Sequence, residues 1–248
     1  MNWKNKLYEA YVSTGMSKKN ENNTIDIFDQ YRFTAKRIKK YLGDDKTIKI
    51  IDLGCGSGGL LYQIKQFGYE NLTGIDYSSE QVELANMMGL TFIYQGDIID
   101  YLAKSKDSCI DVIILMDVIE HFTREELINL LSLLRMKIRP TGRIIIHVPN
   151  AEGIFGSRIR FGDITHEIAF TRQSLAQIFK STGFSSIYCF EDKPTIHSIA
   201  SFFRRIVWDT FTVFFRILFA AETGSFSAIL SQNMLAVISV SPAIEKRG

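Results

Sequence analysis

The stretch that decides the fold reads Ile51-Asp52-Leu53-Gly54-Cys55-Gly56-Ser57-Gly58-Gly59. It lies at the end of a short apolar run, residues 48–53, which is typical of a buried strand. A helical pattern follows over residues 58–67. The backbone must turn sharply between the two, and glycine adopts such conformations at low cost. The stretch therefore predicts a strand, a glycine-rich loop and a helix in succession.

The same alternation continues along most of the chain. Further runs with strand character cover residues 72–75, 91–94, 110–116, 143–148, 184–190 and 233–240. Helical periodicity covers residues 25–42, 79–88, 123–137, 171–181 and 194–231. This alternation is typical of an open parallel sheet with helices on both faces. We expect an α/β fold, a doubly wound, mostly parallel seven-stranded sheet with a helical insertion before its last strand.

The chain is expected to form one domain over residues 1–248. Its parts are an N-terminal helical segment (1–45), a ligand-binding core (46–150), a loop (151–170) and a phenylalanine-rich helical insertion (191–233). The net charge of +2 argues against nucleic-acid binding through bulk electrostatics. Three widely spaced cysteines, Cys55, Cys109 and Cys189, match neither a zinc site nor a disulfide framework. With no apolar leader in residues 1–23, a cytoplasmic location is expected, including the inner face of the membrane.

Spacing alone leaves the ligand open. Gly54, Gly56 and Gly59 satisfy the dinucleotide fingerprint G-x-G-x-x-G. Asp76 follows about 20 residues later, where a ribose-binding acid would stand. An NAD-dependent oxidoreductase is therefore one alternative.

Charge favours a different ligand. Four acids stand at the ends of the first four predicted strands, namely Asp52, Asp76, Asp97 and Asp117. The carboxyl ends of parallel strands converge on one crevice, where so many carboxylates would repel a pyrophosphate. They would attract a ligand that carries an ammonium and a sulfonium, which describes S-adenosylmethionine (SAM).

Residues 52–58, 74–78, 95–98 and 111–122 resemble, in order and spacing, the successive motifs of class I SAM-dependent methyltransferases. The resemblance implies that the glycine-rich loop passes under the methionine part of the cofactor. Asp52 would lie near its amino group, and Met116 would offer that group a backbone carbonyl. The loop residues implied are Gly54, Cys55, Gly56 and Gly58.

The same resemblance implies contacts to the nucleoside. Asp76 would hold the ribose hydroxyls and Tyr77 would pack on the adenine. Asp97 would accept from the adenine amino group, and the backbone of Ile98 would donate to the ring. The alternative for each acid is a helix cap or turn residue, since loops between strands and helices favour Asp.

Histidines are the natural candidates for a base that removes a proton from an acceptor hydroxyl. His147 is expected to be a strand residue with its own hydrogen-bond partner, and His197 to be exposed. His121 belongs to Asp117-x-x-Glu120-His121, which is similar to the E-x-x-E-H of ubiquinone-pathway O-methyltransferases and suggests a divalent cation. Asp117 stands where that motif has Glu, and its shorter side chain reaches less far toward a metal. The main expectation is therefore that no metal is bound.

The loop after the fifth strand carries His166 together with Arg160 and Asp163. Loops this long are usually binding elements, so His166, His121 and Asp163 are the predicted catalytic residues. Residues 147–151, 162–167, 170–171, 174–175, 183–184 and 232–237 resemble bacterial surface-glycan methyltransferases of O-antigen and capsule. That resemblance implies methylation of a sugar hydroxyl, on a nucleotide-linked or lipid-linked saccharide. The alternatives are a quinone or other small phenolic acceptor and a non-catalytic scaffold.

The insertion before the last strand combines many phenylalanines with arginines. Such a segment suits packing on the domain's own sheet, a homodimer seam or peripheral contact with an anionic membrane. We expect a homodimer, with membrane contact as the alternative.

Overall fold

The computed structural model of the protein describes Leu7 and residues 28–241. Most of the predicted N-terminal segment lies outside the described residues. The strands are β1 (Ile50–Leu53), β2 (Leu72–Asp76), β3 (Ile93–Gln95), β4 (Ile110–Met116), β5 (Ile138–Pro149), β6 (Ser186–Glu191) and β7 (Asn233–Ser239). The helices are α1 (Arg32–Lys39), α2 (Gly59–Lys65), α3 (Ser79–Met87), α4 (Ile98–Lys104), α5 (Arg124–Lys137), α6 (Gly156–Arg160), α7 (Arg172–Ser181) and α8 (Ile199–Thr223).

The strands form one seven-stranded sheet in the order β3-β2-β1-β4-β5-β7-β6. The first five strands in this order are parallel, and β7 runs antiparallel to both β5 and β6. The predicted fold class is therefore confirmed. The strand order reverses between β1 and β4, and ligands of open α/β sheets bind at the carboxyl ends of strands beside such a switch point. Topology thus places a crevice at Leu53 and Met116.

Both faces of the sheet are covered, which explains the apolar run of β4. Ile113 and Leu115 belong to one core cluster, together with the inner face of α5. Val112 and Ile114 belong to a second cluster on the opposite face, together with residues of α2. A strand buried on both sides needs an apolar residue at every position. The helix α5 begins with the predicted capping box between Thr123 and Glu126.

Several elements differ from the sequence-based expectation. The helix α4 was not predicted, because it is only seven residues long and a short helix shows little periodicity. The loop after β5 is not irregular throughout, since it contains the short helix α6. The fifth strand begins earlier than the predicted 143–148, because residues 138–142 also belong to β5, where the register with β4 shifts. The insertion helix α8 is shorter than predicted and ends at Gly224, whose φ of 74° suits glycine.

Candidate active site

The glycine-rich loop joins β1 to α2 at the switch point of the sheet. Its Gly54 N–H donates to the carbonyl of Ile75 (2.7 Å), and the Gly56 N–H donates to Asp76 Oδ2 (2.7 Å). Gly54, Gly56 and Gly58 all have positive φ values. A Cβ on Gly54 would lie 2.6 Å from a methyl carbon of Val118. Conformation and space therefore both require glycine at position 54.

Asp52 is the most unusual acid at this edge of the sheet. It is buried, and its Oδ1 has no hydrogen-bond partner in the part of the chain that the structure describes. Burial, and then the nearby charge of Asp76, raise the pKa of the Asp52 carboxyl to about 8. A buried oxygen without a partner is costly and points to a group that the site is built to receive. A cationic ligand beside Asp52 would satisfy it.

The second acid, Asp76, ends β2 and is also largely enclosed. Burial raises the pKa of the Asp76 carboxyl, while the backbone N–H groups of Ser78 and Gly56 lower it. The space beside the Gly56 Cα is open, because a Cβ built there would meet only the Gln81 side chain, with Oε1 at 3.8 Å. The open backbone at Gly56, the unpartnered oxygen of Asp52 and the second acid, Asp76, fit the amino group and the sulfonium of SAM.

Asp97 supports the helix-cap alternative in part. Its Oδ1 accepts from the backbone N–H groups of Ile99 (2.8 Å) and Asp100 (3.0 Å), so Asp97 is the N-cap of α4. In the described part of the chain, its other carboxylate oxygen accepts neither of these hydrogen bonds. Tyr77 follows β2 directly and is half-buried. Ile98, the first residue of α4, is also half-buried. Met116, also half-buried, is the last residue of β4.

Beyond β4, two neighbouring side chains meet a third from a distant part of the sequence. Glu120, His121 and His166 each offer a ligand atom, and these atoms lie within 4.8 Å of one another. His166 Nε2 is 4.0 Å from Glu120 Oε1. Glu120 is fully buried, and among residues 28–241 neither carboxylate oxygen has a hydrogen-bond partner. Burial raises the pKa of the Glu120 carboxyl well above its usual value, with further contributions from Asp117 and Asp163.

Hydrogen bonds fix the orientation of both imidazoles. His166 Nδ1 lies 3.0 Å from the carbonyl of Ile159 and must donate to it, so the neutral ring carries its lone pair on Nε2. His121 Nδ1 lies 2.8 Å from Thr165 Oγ1, and this hydroxyl donates to Asp163 Oδ1 (2.6 Å). The hydroxyl proton is used, so the Nδ1–H of His121 donates to Thr165. Burial, then the charge of His166, lower the pKa of His121 to about 4.

Asp163 and Arg160 both make hydrogen bonds within the loop. Asp163 accepts from the backbone N–H and the hydroxyl of Thr165, and Thr165 in turn contacts His121, so this geometry gives Asp163 a positioning role. Arg160 donates to the backbone carbonyls of His166 and Glu167, and thus holds the loop in place. The loop is further tied to the site because Glu167 N–H donates to the carbonyl of Glu120 (2.8 Å).

Asp117 does not join the predicted D-x-x-E-H ligand set. It is exposed, has a φ of 56°, and its Oδ1 lies 2.7 Å from His147 Nδ1. His147 Nε2 lies 3.2 Å from Asp192, which is paired with Arg37. His147 is therefore a strand residue with its own partners, as expected. His166 takes the third place beside Glu120 and His121.

Comparisons with known proteins bear on the family and the fold of the chain. The profile of the methyltransferase-domain family matches residues 27–188. A ubiquinone biosynthesis O-methyltransferase of Rickettsia bellii is 29% identical over 126 residues, 48% of this chain and 49% of that protein. The enzyme of the same name from Rickettsia prowazekii is 31% identical over 124 residues, 48% of this chain and 46% of that protein. The chain spans about half the length of the curated relatives it matches.

Solved structures share the fold. A SAM-dependent methyltransferase from Archaeoglobus fulgidus superposes with a TM-score of 0.63 at 20% identity, covering 87% of this chain and 99% of that one. Phosphoethanolamine N-methyltransferase 2 of Haemonchus contortus, in complex with SAM, gives a TM-score of 0.60 at 16% identity, over 95% of this chain and 60% of that one. At these identities the likeness concerns the fold.

Proposed function

The chain belongs to the methyltransferase-domain family, and from this membership we propose that it is a SAM-dependent O-methyltransferase. The observation that carries the proposal is the position of His166. Its Nε2 lone pair lies beside the buried Glu120, at the carboxyl edge of the sheet that also carries the glycine-rich loop. Methyl transfer to a hydroxyl needs an aligned acceptor and a place for its proton. His166 Nε2 supplies that place.

The cofactor would be held by groups at the ends of β1 and β2. Asp52 would receive the amino group, and the open backbone at Gly56 would lie under the methionine part. Asp76 would keep a lone pair on each oxygen for the ribose hydroxyls, since each now accepts only one backbone N–H. SAM supplies an activated methyl group there. The chain's own residues bind it, exclude water and orient the acceptor.

A phenolic acceptor fits the site better than a sugar. A phenol ionises near pH 10, so a single neutral imidazole meets a modest barrier to removing its proton. The polar loop residues Arg160 and Asp163, which would suit a hydroxylated acceptor, are engaged within the loop. The exposed loop residues Phe161 and Ile164 are apolar. The relatives with half-length similarity are named for ubiquinone biosynthesis, which supports the same class.

An acceptor panel tests this proposal. The protein is incubated with SAM and either small catechols or nucleotide-sugars, and products are examined for an added methyl group by mass spectrometry. Methylation of a catechol is the expected result. Methylation of a nucleotide-sugar alone would restore the surface-glycan acceptor, and transfer to no acceptor by the folded, SAM-binding protein would favour a scaffold.

A divalent cation at Glu120, His121 and His166 is a second candidate for this site. It is favoured by the two buried Glu120 oxygens, which have no partner among the described residues, and by the two imidazoles. Their Nδ1–H groups are held by Thr165 and Ile159, which leaves Nε2 of each ring as the available ligand atom. Metal-ligating histidines commonly donate their other ring N–H in this way. A bound cation would lower the pKa of a coordinated hydroxyl.

If the cation belongs to the site, we expect metal-stripped protein to bind about one Mn²⁺ or Zn²⁺ per chain. Glu120→Gln should abolish that binding, since it removes the only anionic ligand among the three residues. Isothermal titration calorimetry measures the stoichiometry. Asp117→Asn is the matched control, because Asp117 lies outside the cluster. Wild-type protein that binds no ion would leave His166 acting alone as the base.

We expect SAM affinity to be greatest near pH 8. Below that pH the ligand-free Asp52 carboxyl is protonated, because its pKa is about 8, and binding a cation beside it releases the proton. Above it, the α-amino group of SAM loses its own proton, at about pH 8, and binding takes one up. Calorimetry at pH about 7 and about 9, in two buffers of different ionisation enthalpy, measures the proton exchange. Asp52→Asn should abolish the release; release that persists would place the titrating group elsewhere.

A further inference from the structure

The insertion helix α8 presents its apolar side to solvent. Ten large apolar residues of this helix are exposed: Ile199, Phe202, Phe203, Ile206, Val207, Phe211, Val213, Phe214, Ile217 and Leu218. At about 100° per residue they cover an arc of about 180° around the helix. The two charged residues exposed to solvent on α8, Arg204 and Glu222, lie just beyond one edge of this arc. We call these ten residues the α8 apolar face.

The other three charged residues of α8, Arg205, Asp209 and Arg216, lie on the side opposite the apolar face. Arg205 pairs with Asp209 (2.7 Å), which also pairs with Lys193 (3.3 Å). Arg216 pairs with Glu191 at the end of β6 (2.6 Å). A helix on a soluble domain normally buries its apolar stripe and exposes its charges. This arrangement is inverted, so the α8 apolar face is held outward by ion pairs on the opposite side.

The width of the face decides between two occupants. A partner helix covers an apolar stripe of about 100° and would leave the flanking Phe202 and Phe211 in water. A lipid surface covers an entire exposed face of a helix that lies in its plane. No helix in the described residues is long and apolar enough to cross a bilayer, so α8 would lie on the membrane.

Positive charge stands beside the start of α8. The exposed residues Arg32, Lys36, Lys39 and Lys40 lie on α1 or directly after it, and the sequence of α1 contains no acid. The helix α1 contacts the segment that leads into α8, through Arg37 and Asp192 and through the rings of Phe33 and His197. Cations flanking an apolar helical face match the anionic headgroups of a bilayer.

We infer that the α8 apolar face docks on an anionic lipid bilayer. The helix connects the carboxyl end of β6 to the start of β7, so the two linkers that hold it both begin at the edge of the sheet that carries the candidate active site. The segment after α8 contacts the loop of residues 151–170, which we call the acceptor loop, because the Ile154 N–H donates to the carbonyl of Leu230 (3.0 Å). Just before this loop, the Asn150 side chain donates to the carbonyls of Ile229 (2.7 Å) and Ser231 (2.8 Å). Docking through α8 therefore holds this edge at the lipid surface, whatever the acceptor is.

Co-sedimentation with vesicles of phosphatidylcholine and phosphatidylglycerol tests the inference. The wild-type protein should bind, and the double variant Phe203→Glu with Phe214→Glu should partition at least about tenfold less, since both rings lie at the centre of the face. The matched control is Ile128→Glu with Met136→Glu, two exposed apolar residues on α5 (52% and 50% exposed, against 60% and 63%). The control should bind as the wild type does.

SAM binding by calorimetry confirms that each variant is folded, and exposed positions allow the change without loss of the core. Wild-type protein that does not bind vesicles would overturn the inference, as would equal binding by the Phe203→Glu and Phe214→Glu variant. Analytical ultracentrifugation tests the other occupant. If the wild-type protein is a dimer that fails to bind vesicles, and the same substitutions convert it to a monomer, the face belongs to an interface with a second copy of the chain.

Discussion

His166→Ala is expected to reduce turnover of a catechol acceptor by about 100-fold or more and to leave SAM affinity unchanged. The substitution removes the imidazole whose Nε2 would take the acceptor proton, and a positioned base typically contributes ~10²–10⁴-fold. His166 belongs to the acceptor loop and lies beside Glu120, which follows β4. In the described part of the chain, its imidazole makes no hydrogen bond to the glycine-rich loop. The loss should therefore fall on kcat, as measured by steady-state methylation with SAM saturating.

His197→Ala is the matched control, because His197 is exposed and lies outside the cluster. A fall in SAM affinity in the His166 variant would show that the acceptor loop also shapes the cofactor site. A chelator that reproduces the loss in the wild-type protein, together with an equal loss in His121→Ala, would assign the effect to a bound cation.

Asp76→Ala should weaken SAM binding by at least about tenfold. Hydrogen bonds to a charged group contribute ~1.5–3 kcal/mol, and Asp76 is positioned for two ribose hydroxyls. The same change also leaves the Gly56 N–H without its acceptor, which loosens the loop that would carry the methionine part. Isothermal titration calorimetry gives the affinity directly.

Asp100→Ala provides the comparison for Asp76. Asp100 is an exposed acid on α4, and its carboxylate makes no hydrogen bond to the glycine-rich loop in the described part of the chain. SAM affinity that survives in a folded Asp76 variant would contradict the cofactor register proposed for residues 52–98. Asp76→Asn, which retains an acceptor oxygen, should lose less affinity than Asp76→Ala.

The cofactor half of the site could be predicted because its chemistry is local. Glycines at 54, 56 and 58 are required by positive φ values, and Asp76 is the last residue of β2. Strand ends carry these residues to one edge, so a correct assignment of strands places them together. Even there, the N-cap role of Asp97 depended on α4, a helix too short to show a clear period.

The acceptor half could be predicted only in part, because it is assembled from distant segments. His121 and His166 were candidates, but the contact of His166 with Glu120 depends on how the loop folds back over β4. Thr165 was missed, since a threonine in a polar loop carries no signal of its role between His121 and Asp163. The inward orientation of Arg160 follows from backbone carbonyls of its own loop, which no sequence pattern displays.

The position of β7 has a consequence for the order in which the protein is made. β6 pairs only with β7 among the described strands, and β7 lies between β5 and β6 although it is synthesised last. A nascent chain that has just completed β6 must wait for α8 and β7, roughly 2–10 s at translation rates of ~5–20 residues per second. During this interval the edge of β5 is open, and the α8 apolar face is synthesised before β7 can cover that edge. Open edges and exposed apolar surface are features that chaperones recognise and that drive aggregation. The sheet is thus completed from its interior, because β7 inserts between β5 and β6, which are both synthesised before it.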